Sequence, residues 1–116
     1  MAADRQWLTD SLRQSLVALA LPGRESLNQL PPNIVRADEL ALEFDNFFNA
    51  YRGNFGGDLA PAQLEALVRV DQLLDQMSGS NNAELWTEQA VMAHPRWVEV
   101  RQAAQVALES LGWTRS

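Results

Sequence analysis

The chain contains no cysteine. It therefore has no disulfide framework, no thiolate nucleophile and no cysteine-ligated zinc. Lysine is missing too; the nine basic residues are all arginine. That removes Schiff-base chemistry and the lysine of a phosphate-binding P-loop. The single histidine, His94, offers no His-x-x-x-His or Glu-x-x-His spacing for a metal. No metal, cofactor or catalytic constellation is expected.

Long apolar runs are also scarce. "LVALAL", residues 16–21, is six residues long, and Asp4 and Asp10 precede it. A secretory core needs about 7–15 apolar residues behind a basic end, and a membrane span needs roughly 18. The expectation is a soluble, cytoplasmic protein.

Positive charge is in the minority. Nine arginines stand against 15 acids, for a formal net charge of −6. That balance disfavours nucleic acid, whose phosphates demand a basic face, and disfavours an anionic membrane.

What the chain does have is helical periodicity. Hydrophobic residues make up 47% of 116 residues, enough for one core. The expected fold is all-α: a single-domain bundle of four to five amphipathic helices over residues 1–116, with no β-sheet. No stretch alternates with period two for long enough to suggest a strand.

The first helix is expected over about 4–20, with Asp4 as N-cap and Trp7, Leu8, Leu12, Leu16, Leu19 and Ala20 on its apolar stripe. Residues 22–33, "PGRESLNQLPPN", read as an irregular connector stopped by Pro31-Pro32. A second helix is expected over about 34–52, with Leu40, Phe44, Phe47, Phe48 and Tyr51 on one face. The third spans about 61–77, opened by Pro61. A shorter helix spans about 83–93, starting at Ala83 or Thr87. The last spans about 95–111, with Trp97, Val100, Ala104, Leu108 and Leu111 inward and Gly112 as its C′ residue.

"NAYRGNFGGDLAP", residues 49–61, is the glycine-rich stretch. Its G-x-x-G-G spacing matches no phosphate-binding pattern, and Asp58 would repel an anion. It reads as a connector whose glycines supply unusual backbone angles. His94, before Pro95, suits a helix–helix corner.

Asp71 and Asp75 project one turn apart beside the apolar arc of the third helix. They are expected to be neutralised by an arginine of another helix, with Arg101 and Arg52 as candidates. Trp86, beside a polar loop, is a candidate surface anchor.

Function follows from this distribution. The leading expectation is a non-catalytic protein–protein interaction module with an acidic surface, of the immunity or antitoxin type, that blocks a basic protein partner. Candidate contacts are Glu39, Glu43, Asp45, Glu65 and Trp86. The alternative is a small-molecule binder or enzyme whose pocket uses Phe44, Phe48, Tyr51, Asp71 and His94. A homodimer through the third helix's apolar arc is a further option.

Overall fold

The computed structural model describes residues 5–28 and 36–113. Helix α1 is Arg5–Ala20, α2 is Gly23–Asn28, α3 is Arg36–Phe55, α4 is Pro61–Gln76, α5 is Glu88–Ala93 and α6 is Pro95–Leu111. Two 3₁₀ segments, Gly56–Asp58 and Ser80–Trp86, complete the order. The fold is an all-α bundle, and the described residues form no strand.

The apolar spacing does what amphipathic helices require. Leu8, Leu12, Leu16 and Leu19 of α1 are buried, as are Leu40, Phe44, Phe48 and Tyr51 of α3. Leu67, Val70, Leu73 and Leu74 of α4 meet Trp97, Val100, Ala104 and Leu108 of α6. Trp7 departs from the pattern. It lies on the expected stripe but is 57% exposed, its ring edge-on to half-buried Phe47 at 5.6 Å. Leu8 takes the inward position near that end of the helix.

The arrangement of the long helices matters most for function. Helix α1 packs between α3 and α6, and α6 packs between α1 and α4. Helices α3 and α4 would close the ring, yet they barely touch. Three seams of the bundle are sealed and the fourth is open.

Polar contacts fix the sealed seams. Arg101 Nε of α6 donates to Leu21 O at 3.0 Å, and Gln105 Nε2 donates to Ala20 O at 3.1 Å. These bonds satisfy carbonyls left without partners at the end of α1. Gln63 Oε1 accepts from Ala60 N at 2.8 Å, while its Nε2 donates to Ser110 O at 3.2 Å. One side chain thus caps the start of α4 and holds the end of α6.

Several boundaries differ from the sequence reading. The irregular connector contains α2, a six-residue helix too short to show periodicity. Ser26 Oγ donates to Leu21 O at 2.9 Å and Leu27 is buried, so this helix plugs one end of the bundle. Gly23 makes that possible: a Cβ there would lie 2.5 Å from Met92 Cα and 2.6 Å from Val91 O of α5. Asp4, Pro31-Pro32 and Ile34 lie outside the described residues.

Helix α3 continues three residues past Arg52, through Gly53, to Phe55. Tyr51 and Phe55, four apart on one face, hold the last turn with ring centroids 5.5 Å apart. The expected 83–93 helix is two elements. A 3₁₀ run kinks at Asn82, and Thr87 then caps α5 by accepting from Ala90 N at 3.0 Å. Helix α6 has the expected bounds. Gly112 adopts φ 71°, and Trp113 N donates to Leu108 O, which completes a Schellman stop.

Candidate functional site

The open seam leaves a groove of about 480 Å³ between the first half of α3 and the second half of α4. Ala41, half-buried, and Leu74, buried, lie at its floor. Asp38 and Asp45 line it from α3; Asp71 and Asp75 line it from α4. Leu42, 51% exposed, borders the α3 side, and Trp86 borders the end near Gly79.

Local geometry explains each position. Asp38, Leu42 and Asp45 recur four and three apart, so they share a line on α3. Asp71 and Asp75 are one turn apart on α4 for the same reason. Trp86 is fixed on two sides. Its Nε1 donates to Met77 O at 2.8 Å, and its ring stands edge-on to Trp97 at 5.4 Å. Part of the indole is left facing the groove.

The electrostatics are unbalanced. Among the described residues none of these four aspartates has an ion-pair partner. Asp45 accepts only from Asn49 Nδ2 at 3.1 Å. Partial burial pushes the Asp71 carboxyl above its ordinary range. The like charges of Asp45 and Asp75 add to this, and Arg52 opposes it.

The expected neutralisation by Arg101 does not occur, because that guanidinium caps α1. Arg52 acts on Asp71 only from a distance; its guanidinium sits over the Phe48 ring at 5.7 Å. Two further arginines are engaged elsewhere. Arg36 grips Glu88 through two bonds of 2.8 Å, and Arg5 pairs with Asp58 while lying over the Phe55 ring.

The residues singled out from the sequence scatter. Asp45 and Trp86 meet in the groove, and so do Asp71 and Asp75. Glu39 and Glu43 sit half-buried on another flank of α3, where burial and the neighbouring Glu39 charge raise the Glu43 carboxyl. Glu65 is exposed on α4 and is not among the groove's lining residues. Phe44, Phe48 and Tyr51 are core residues that do not line the groove.

His94 occupies the α5–α6 corner. Its backbone is extended at φ −75° and ψ 137°, as a residue before proline requires, and its Nδ1 accepts from Arg96 N at 3.1 Å. Asp38 and Leu42 are among the groove residues that sequence reasoning missed. Their register with Asp45 was visible, but it had no meaning until the α3–α4 seam was seen to be open.

The glycine-rich stretch carries a correction. Gly53, Gly56 and Gly57 all avoid positive φ, and no Cβ built on them would clash. They do not supply unusual backbone angles; Gly53 lies within α3, and Gly56 and Gly57 form one 3₁₀ turn. The pair of Arg5 and Asp58 there ties the start of α1 to the link.

Chemically, the groove is suited to holding cations. Its wall hydroxyl, Ser78 Oγ, just past the end of α4, donates back to Leu74 O of that helix. No group of three or more His, Asp or Glu residues among the described ones is placed to hold a metal ion. No described helix is long and apolar enough to cross a membrane. Comparison with protein families, characterised proteins and solved structures found no match.

Proposed function

We propose that this protein is a non-catalytic interaction module that binds a basic protein partner through the α3–α4 groove. The observation that supports this most is a set of four groove aspartates with no internal counter-ion, set around an apolar floor and a fixed tryptophan. Three of the four are exposed, but Asp71 is half-buried near like charges that raise the cost of its ionised form, a cost that a counter-charge would offset. A bound arginine or lysine would do so, with Trp86 offering its ring to the cation. Net charge of −6 steers such a partner toward the surface before contact. Inhibition of an enzyme with a basic cleft, as immunity and antitoxin proteins achieve, is one role this chemistry would serve.

The groove's volume favours a second reading. Its 480 Å³ and its Asp71 wall fit a small organic cation as well as a protein side chain.

Calorimetric titration with a short oligo-arginine peptide tests the first reading, with free arginine and a diamine as comparators. The peptide should bind saturably, and binding should weaken with salt and vanish in Asp45→Arg/Asp71→Arg. Equal affinity for the diamine and the peptide would favour the small-molecule reading. Binding unchanged by the charge reversal would remove the groove from both.

A further inference from the structure

We infer that the element received by the groove is a single amphipathic α-helix of the partner, apolar along one stripe and basic on both flanks. The inference rests on the basic-partner reading above and adds the shape of what binds.

The groove is a helix seam without its filling. Three neighbouring pairs in the ring of long helices are packed, while α3 and α4 make little direct contact. A slot between two helices is the usual receptor for an amphipathic helix. Acids stand on both sides of an apolar strip. Asp38, exposed Leu42 and Asp45 line the α3 side, Asp71 and Asp75 line the α4 side, and Ala41 and Leu74 add apolar surface.

That pattern selects among backbone shapes. An extended segment sends successive side chains to opposite faces, so it cannot place apolar groups downward and cations on both sides. A helix can, because positions flanking its apolar stripe project to either side of it. The spacing agrees as well. Seven residues separate the α3 acids, about 10.5 Å of helix, and four separate the α4 acids, about 6 Å. Two arginines seven apart on one flank of a partner helix, and two four apart on the other, repeat at the same intervals. Trp86 closes one end, so the helix lies along the slot with its terminus against the indole.

The test uses two synthetic peptides of identical composition. One carries leucines at helical spacing flanked by arginines; the other carries the same residues in strict alternation, with a helix-breaking D-residue at its centre. Each is titrated into the full ¹⁵N-labelled chain, with circular dichroism of the mixture. The amphipathic peptide should gain helix on binding, bind about tenfold or more tighter than its isomer, and shift amides of residues 38–45 and 71–79.

Equal binding of both peptides in the groove would overturn the helical element and leave the basic-partner reading standing. Binding of neither would overturn both. Asp45→Arg/Asp71→Arg should abolish the shifts; if that chain melts early, the milder Asp38→Asn/Asp75→Asn should weaken them instead.

Discussion

Trp86 stands edge-on to Trp97, with ring centroids 5.4 Å apart and planes at 85°. Each indole N–H is donated to a backbone carbonyl: Trp86 to Met77 O, Trp97 to Leu85 O. The pair therefore couples the core to the groove. Trp97 is buried and positions the 3₁₀ segment; Trp86 is held by that segment at the groove's end.

Trp97→Phe should destabilise the fold by about 2 kcal/mol, because it strands the Leu85 carbonyl and leaves space in the core. Trp86→Ala should cost less stability and should weaken binding of basic peptide. Urea denaturation and calorimetry separate the two effects. Equal loss of stability and binding in both variants would mean that Trp86 has no role beyond packing.

Two glycines give opposite expectations. Gly23→Ala drives a methyl group into the α5 backbone and should destabilise by about 1–3 kcal/mol. Gly53 lies inside α3, and a Cβ added there would meet nothing within 4 Å, so Gly53→Ala should stabilise by about 0.5–1 kcal/mol. Thermal unfolding of both variants checks the pair.

These glycines also show how much was legible beforehand. Helix α6 could be read to the residue because Pro95 and Gly112 punctuate it and its stripe is long. Helix α2 could not: six residues carry less than two periods, and its stability comes from Leu27 and from the close approach at Gly23. The core roles of Phe44, Phe48 and Tyr51 were readable from spacing. Wheel geometry placed Asp71 and Asp75 beside the apolar arc. What no local pattern encodes is the open seam between α3 and α4, and only that seam brings Asp38 and Asp45 into one groove with the α4 pair.

Asp71 should make stability depend on pH in a direction unusual for a carboxylate. Its native pKa is raised above the ordinary 3.8 by burial and then by Asp45 and Asp75. Between those two values the folded chain keeps a proton that the unfolded chain has released. The contribution of this group to stability therefore falls as pH rises through that window, and the cost is complete above it. Asp71→Asn should be neutral near pH 3 and stabilising at pH 7, by less than about 0.5 kcal/mol because the carboxyl is only partly buried. A destabilised Asp71→Asn at pH 7 would show a favourable pairing instead. Cation binding favours ionised Asp71, so affinity for basic peptide should drop as pH falls through the same window.

His94→Ala should cost about 0.5–2 kcal/mol through loss of the acceptor for Arg96 N, and His94→Asn should restore most of it. Neither change should alter peptide affinity, since His94 does not line the groove. A binding defect in the stable His94→Asn variant would place this residue in the recognition surface.

The most direct test of the groove's role is residue-resolved. Amide shifts of the labelled chain are followed as oligo-arginine peptide is added at low and at high salt. Saturable shifts should concentrate on residues 38–45, 71–79 and 86, fade with salt, and be absent in the charge-reversed groove. Shifts spread evenly over Glu39, Glu43, Glu65 and the other surface acids, and persisting in that variant, would contradict a specific site.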